Sequence, residues 1–380
     1  MNRSQRKIKV CCFCESWESG GIEAFLANVI LHMDRSGLEI DIVAERLEKS
    51  IFTEKLQNCG INFYQLSGST RKIKNNLQCF QDLLKKRGYD IIHLNIYQGL
   101  SLLYLRLARK AGVPIRIAHS HNTKLRESLT KRIKLFVHNW ARKHFAKEIT
   151  HRWASSKAAA KFLFGSDMNF TFVPNGIDIT RFRFDSLKRN KIRRELKLEE
   201  KLVIGNVGRL CYQKNQMFLL KVFQQIHQYY PASVLLLIGD GEDRNNLEDR
   251  TKTLNLEDSV IFCGTIEQVD QFYCAMDLFL FPSYFEGLGI ACVEAQAAGL
   301  PVLCSEHIPE EAIITDSVTQ MTLHAGSMAW AEKVLNMNFQ KNRTDGADQV
   351  FAAGFDVGMV AEMIRKQWME DDLWMVQKYL

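Results

Sequence analysis

Short apolar runs alternate with longer amphipathic stretches along most of this chain. Lys7–Glu15, Ile40–Ala44, Asn62–Leu66 and Ile91–Leu94 have the length and residue types of strands. Glu23–Met33, Asn76–Lys86 and Leu100–Ala111 carry helical spacing between them. The run VPIRIAHSHN predicts a strand ending in His119, Ser120, His121 and Asn122, and Glu148–Ser155 and Ser156–Phe164 predict a further strand and helix. A long amphipathic helix is expected over Thr123–Lys147, with Leu125, Leu129, Ile133, Phe136, Val137 and Trp140 on one face. After Asp185–Glu200, a charged helical stretch, the alternation resumes with strands at Leu202–Val207, Ser233–Ile238, Val260–Cys263, Leu278–Phe281 and Val302–Cys304. Such alternation predicts α/β architecture with parallel sheets. At 380 residues the chain exceeds what one core usually fills. The turn in FVPNGID, marked by Pro174 and Gly176, sets the expected division: domains over 1–175 and 176–355, then a helix over 356–380 carrying Trp368 and Trp374.

Three strand-to-helix turns concentrate the candidate chemistry. The stretch Phe281–Pro301, FPSYFEGLGIACVEAQAAGLP, passes from a buried run through a glycine turn into a helical pattern over Ile290–Ala298, stopped by Gly299 and Pro301. It holds Glu286 and Glu294, with seven residues between them. A helical segment between them would separate the acids by roughly 12 Å, about the span from a sugar to a ribose across a diphosphate. Backbone N–H groups of Gly287, Leu288 and Gly289 and the helix N-terminus suit phosphate. Upstream, Val203–Phe223 reads strand, turn, helix, with Arg209 and Lys214 on the turn. The first strand is followed by Ser19, Gly20 and Gly21 before a helix, a unit shaped for an anion without matching the dinucleotide pattern.

In GRLCYQKN, LLLIGDGED, VIFCGTIE and FEGLGIACVEA, occurring in that order, the chain resembles the family 4 retaining glycosyltransferases, most closely those that build bacterial exopolysaccharides and capsules. The resemblance implies the GT-B fold, two Rossmann-like domains facing each other across a cleft, with the last helix returning to the first domain. It implies that Arg209 and Lys214 hold the donor diphosphate, that Glu286 and Glu294 hold sugar and ribose, and that Thr265 and Ile266 lie near the base. It implies that Gly20 and Gly21 face the diphosphate from the first domain and that His119 or His121 sits beside the transferred sugar. The implied reaction is retaining transfer of a hexosyl or N-acetylhexosaminyl group from a UDP- or GDP-sugar to a lipid-linked saccharide. An epimerase or phosphorylase on the same fold, or a non-catalytic anion- or membrane-binding adaptor, are the competing readings. No D-x-D sequence is present to hold a metal between phosphates, so a metal-free reaction without a cofactor is expected.

Composition narrows the setting. Hydrophobic residues make up 46% and charged residues 24%, as in a soluble globular protein. No apolar run reaches the length of a membrane helix, and the basic start MNRSQRK precedes an apolar run too short for a secretory signal. Ten cysteines are too sparse for a disulfide scaffold; Cys11, Cys12 and Cys14 read as small buried side chains, and a reducing cytoplasm is expected. The formal charge of +7 is unevenly spread: residues 101–161 hold 15 lysines and arginines against Glu127 and Glu148. The helix over 123–147 is therefore either a core helix with a solvated basic face or a surface for anionic lipid at the inner face of the plasma membrane. The second is the expectation. Nucleic acid is not expected, because aromatic interleaving is thin and no nucleic-acid motif appears.

Overall fold

A computed structural model describes residues 6–378 apart from 19, 49, 97, 126–130, 166–168, 338, 340–342 and 344. The chain divides into two compact units, one reaching to Gly176 and resuming at Val357, the other spanning Ile177–Asp356.

The first unit is built on a seven-stranded sheet: β1 (Ile8–Trp17), β2 (Leu38–Leu47), β3 (Asn62–Gln65), β4 (Ile91–Ile96), β5 (Ile115–Ser120), β6 (His151–Ala154) and β7 (Thr171–Phe172). The order is β3-β2-β1-β4-β5-β6-β7 and every pairing is parallel. Helices α1 (Gly21–His32), α2 (Thr53–Asn58), α3 (Ile73–Arg87), α4 (Leu103–Lys110), α5 (Lys131–His144) and α6 (Lys157–Phe164) connect them. Val10 to Cys14 are fully buried, because a central parallel strand is covered on both faces. One face packs against α1; the other takes Phe80 of α3 with Tyr104, Leu105 and Ala108 of α4.

The second unit has a six-stranded parallel sheet in the order β10-β9-β8-β11-β12-β13. Its strands are β8 (Leu202–Val207), β9 (Ser233–Ile238), β10 (Val260–Gly264), β11 (Leu278–Phe281), β12 (Val302–Ser305) and β13 (Val318–Met321). Its helices are α7 (Ile179–Phe182), α8 (Ser186–Glu195), α9 (Gln216–Tyr229), α10 (Arg244–Thr253), α11 (Val269–Ala275), α12 (Ile290–Ala297), α13 (Gly326–Leu335) and α14 (Gly346–Ala352). Both sheets reverse their order at an inner pair of strands, β1/β4 in one and β8/β11 in the other. In open α/β sheets ligands bind beyond the strand C-termini at such a point.

The last helix, α15 (Val357–Lys378), packs against α1 of the first unit. Val360, Ile364 and Trp368 recur every fourth residue and are buried, and Arg365 pairs with Asp34 at 3.0 Å. Burial of Val360 and Ile364 stabilises this docking by about 1.5–3 kcal/mol each. The side chain of Trp374 lies outside the described residues.

Two sequence expectations need correction. The helix expected over 123–147 is described only from Lys131 to His144; Thr123 and Lys124 form a bend, and Leu129 lies outside the described residues. Its expected core stripe does not face the core: Ile133 is 66% and Phe136 72% exposed, and Trp140 is exposed too. The buried positions are His138 and Ala141. His138 accepts from the Gly99 N–H at 2.9 Å and its other ring nitrogen meets the Phe162 carbonyl at 3.0 Å. A polar residue thus anchors the helix and leaves the apolar ones outside. The second correction concerns Glu286 and Glu294. Residues 282–289 are a loop, so the helical spacing of roughly 12 Å does not apply.

Candidate active site

In the second unit, the loops after β8 and β11 meet at the reversal of strand order. The chain leaves β8 through a short 3₁₀ turn, Tyr212–Lys214, and enters α9 through Asn215 in the left-handed region at φ 58°. Asparagine tolerates this conformation better than most residues. Its amide donates to the Pro282 carbonyl at 3.0 Å, and the Tyr284 N–H donates to the Gln213 carbonyl at 2.9 Å. These bonds fasten one loop to the other. Behind them Asn206 donates to the Leu280 carbonyl at 2.8 Å, and Gln216 donates to Asn206 at 3.3 Å and to the Arg209 carbonyl at 3.1 Å. The turn is therefore rigidly footed.

The result is a charged pair. Lys214 Nζ lies 2.7 Å from Glu286 Oε1, with Glu286 only 5% exposed. Gln213 Nε2 donates to the other carboxylate oxygen at 3.2 Å, and Lys214 Nζ also sits 4.9 Å from the Phe281 ring centre. Glu294, on α12, is half-buried and accepts from the Tyr273 hydroxyl at 2.8 Å. Burial pushes its carboxyl up to about 7, against the opposing effects of the Tyr273 hydroxyl, Arg181 and Lys214. Gly289 caps α12 at φ 91°, a conformation that strains any residue with a Cβ. Leu288 and Gly289 are buried and Gly287 is half-buried. Arg209 is exposed at the start of the same β8 loop. Thr265 and Ile266 follow β10, two strands away from β8; Thr265 is exposed and Ile266 packs on the core.

The remaining sequence candidates belong to the first unit. Gly20 caps α1 and Gly21 begins it. A methyl group on Gly20 would lie 2.5 Å from Glu23 Oε2, whereas one on Gly21 would meet nothing within 4 Å. Glu23 occupies the N3 position, from which a glutamate reaches back towards the cap, so the positive end of this helix carries its own acid. His119 is fully buried, enclosed by His93, His121, Trp153 and Phe25. It is a packing group with no open face. His121 lies one residue beyond the end of β5 and keeps 9% exposure. Its Nε2 meets Asn95 Oδ1 at 2.9 Å, while the Asn95 amide donates to the carbonyls of Phe13 and His93. Those carbonyls turn the Asn95 oxygen towards His121, which places the imidazole proton on Nε2. Burial pushes His93 and His121 down to about 3 and His119 well below the usual range, so all three are neutral at pH 7.

Sequence reasoning missed Tyr273, Gln213 and Asn95. Tyr273 lies on a helix without a motif. Gln213 lies inside GRLCYQKN but gave no sign of its partner. Asn95 and His93 are polar interruptions of the apolar run IIHLNI, the one visible signal of a buried polar cluster. Among the described residues, no group of three or more His, Cys, Asp or Glu side chains is arranged to hold a metal ion. No helix among them is long and apolar enough to cross a membrane.

Two parallel Rossmann-like sheets, each with its strand-order reversal, define the GT-B class of fold, and solved structures agree. HepE from Anabaena, in complex with UDP-glucose, superposes with a TM-score of 0.78 at 20% identity, covering 96% of this chain and 100% of that one. WaaG, a glycosyltransferase involved in lipopolysaccharide biosynthesis, gives a TM-score of 0.72 at 17% identity, covering 94% and 98%. The model for Glycosyltransferase Family 4 matches residues 19–181, and that for Glycosyl transferases group 1 matches residues 188–341. A Bacillus subtilis (strain 168) protein named as glycosyltransferase EpsF is 30% identical over 345 residues, 88% of each chain. An Escherichia coli UDP-Gal:alpha-D-GlcNAc-diphosphoundecaprenol alpha-1,3-galactosyltransferase is 32% identical over 232 residues, 59% of each. The chain belongs to family 4 of the glycosyltransferases, in a branch related to polysaccharide biosynthesis.

Proposed function

We propose that this enzyme transfers a hexosyl or N-acetylhexosaminyl group from a UDP- or GDP-sugar to a lipid-linked saccharide, with retention of configuration. The observation that carries the reading is the Lys214–Glu286 pair at the β8/β11 reversal, with Glu294 held by Tyr273 on the neighbouring helix. The Lys214 ammonium and the Arg209 guanidinium neutralise the departing diphosphate, the first as a point charge and the second as a fork. Amides of Gly287, Leu288 and Gly289 add fixed dipoles where negative charge develops. Glu286 accepts from sugar hydroxyls, and Glu294 from the ribose, with the base near Thr265 and Ile266. No carboxylate is assigned as a covalent nucleophile; the departing diphosphate stays on the face from which the acceptor hydroxyl attacks. The reaction needs no metal. Gly20 and Gly21 of the first unit are assigned to diphosphate binding, as the family resemblance implies. His121, neutral and with its proton on Nε2, takes the histidine position beside the sugar in preference to the enclosed His119.

The acceptor assignment is supported by the named substrate of the E. coli relative and by α5, which presents Ile133, Phe136 and Trp140 together with Arg132 and Lys134. Exposed aromatic and aliphatic groups interleaved with cations suit the interface of an anionic membrane. The enzyme works in the cytoplasm, peripherally, at the inner face of the plasma membrane. No observation favours an epimerase, a phosphorylase or a non-catalytic adaptor.

The test is transfer itself. The protein is incubated with a panel of UDP- and GDP-sugars and diphospholipid-linked N-acetylglucosamine, and the product is read by mass and by anomeric NMR coupling. A glycolipid extended by one sugar, of the donor's own anomeric configuration, is the expected result. An inverted product overturns retention, and conversion of the donor without transfer overturns the transferase reading.

A further inference from the structure

The hydrogen bond between Tyr273 and Glu294 joins side chains of two helices, α11 and α12, 21 positions apart in the chain. Its geometry depends on how those helices are held. Both end in carbonyls that no further turn of helix satisfies. Arg343, from the segment before α14, reaches both ends at once. Its Nε donates to the carbonyl of Ala298, the C-cap of α12, at 2.9 Å. Its Nη2 donates to the Tyr273 carbonyl at 2.9 Å, and its Nη1 to the carbonyls of Cys274 and Met276 at 3.1 and 2.9 Å. Tyr273 thus gives its hydroxyl hydrogen to Glu294 while its carbonyl is held by Arg343.

A guanidinium suits this place. Its five N–H donors lie on one rigid plane and can serve several carbonyls, which an ammonium on a flexible stem cannot do at the same spacing. Two helix C-termini carry partial negative charge, so a cation between them is favoured without a carboxylate. Asp277, whose charge acts on Arg343, is itself held by Arg189 and Arg193 at 2.6 and 3.0 Å. Burial pushes Arg343 down to about 10, so it stays charged at pH 7. Its guanidinium carbon lies 4.2 Å from the Phe184 ring centre. The backbone is fixed as well. A methyl group on Gly299, at φ 66°, would lie 2.3 Å from the Arg343 carbonyl oxygen, and one on Gly346 would lie 2.1 Å from that of Gln296. The segment therefore rests directly on the end of α12. Arg189 and Arg193 brace the same end of α11 from α8, through the carbonyls of Cys274, Ala275 and Met276. Arg343 differs in spanning α11 and α12.

We propose that Arg343 is a positioning residue of the donor site: by tying the ends of α11 and α12 together it sets Tyr273 against Glu294, and so fixes the carboxylate that takes the ribose hydroxyls. The inference rests on the assignment of Glu294 to the ribose, and its test separates the two. UDP and GDP are each titrated calorimetrically into the whole protein alongside their 2′,3′-dideoxy analogues. The wild type is expected to prefer the ribose form of the nucleotide it binds. Arg343→Lys keeps the charge but not the fork. It is expected to lower that preference by about threefold to tenfold, the worth of roughly one hydrogen bond, with affinity for the dideoxy analogue little changed. Tyr273→Phe gives the same loss, and the double variant loses no more than either single one, because both act through one contact. Arg189→Lys loosens α11 without touching α12 and keeps the preference. Phe184→Leu frees the guanidinium plane, lowers the preference in the same direction, and carries the test where Arg343→Lys does not fold. Wild-type preference in Arg343→Lys or, where that does not fold, in Phe184→Leu would overturn the inference and leave the ribose assignment standing. Additive losses in the double variant, or an equal loss in Arg189→Lys, would do the same. A wild type that binds no nucleotide, or binds both forms of it equally, overturns the ribose assignment and the inference with it.

Discussion

Lys214 and Glu286 are 72 positions apart in the chain, yet their charged atoms lie 2.7 Å apart. Their loops follow β8 and β11, which are direct neighbours in the sheet although two strands intervene in sequence. In this state Glu286 neutralises the cation that a diphosphate would claim. In the proposed donor site, a bound nucleotide sugar would redistribute that pair, passing Lys214 to phosphate and Glu286 to the sugar.

Arg209→Ala and Lys214→Ala are each expected to lower kcat/KM by roughly 10²-fold or more, as each removes a charge from the leaving-group site. Their stabilities should differ. Arg209 is exposed and its loss should leave the Tm unchanged. Loss of Lys214 takes the cation away from the buried Glu286 carboxylate, a destabilisation of up to ~3 kcal/mol. Near-normal activity of both variants with the true donor, or equal Tm values for the two, would contradict the assignment.

The pH dependence of stability carries a sign. The Glu294 carboxyl is raised to about 7 from an ordinary value of 4.5. Between those values the folded state binds more protons than the unfolded one. The stabilising contribution is fully present below 4.5, is lost as pH rises through 7, and is flat above. Glu45, also raised to about 7, acts in the same direction. Urea midpoints of wild type and Glu294→Gln across this range should show a difference that grows with pH and levels off past 7. A difference independent of pH would remove the perturbed carboxyl.

Sequence and structure agree most closely where apolar runs are short and stopped by glycine or proline. Leu202–Val207, Ser233–Ile238 and Leu278–Phe281 match β8, β9 and β11 residue for residue. The turns after β8 and β11 were legible for the same reason, since glycine and lysine or glutamate interrupt the apolar pattern there. Helix α5 was not legible. Periodicity reports that Ile133, Phe136 and Trp140 share a side of a helix, and carries no information on whether protein or something else covers it. Tyr273 was hidden because its role is to hold another residue.

Helix α5 should separate two contributions to membrane binding. Replacing Arg132 and Lys134 with Glu should weaken binding to anionic liposomes, by an amount that shrinks as salt rises. Ile133→Ser with Phe136→Ser should weaken it at all salt concentrations, because the loss is of apolar burial. Cosedimentation measures both. Unchanged binding in either set would reduce that part of the helix to a solvated surface.

Transfer should survive excess EDTA, since Arg209, Lys214 and backbone amides supply the positive charge. Activity assayed before and after dialysis against chelator decides it. Complete loss restored by Mg²⁺ or Mn²⁺ would assign the neutralising role to a metal.

The most direct test of the donor site is calorimetric titration of the wild-type protein, Lys214→Ala and Glu286→Gln with UDP, GDP and their sugar conjugates. The account predicts that one nucleoside diphosphate and its sugar conjugate bind the wild type. Lys214→Ala should weaken both ligands together. Glu286→Gln should weaken the sugar conjugate but not the free diphosphate, whose access to Lys214 it leaves open or improves. Wild-type affinity for both ligands in both variants would place the donor elsewhere and contradict the account.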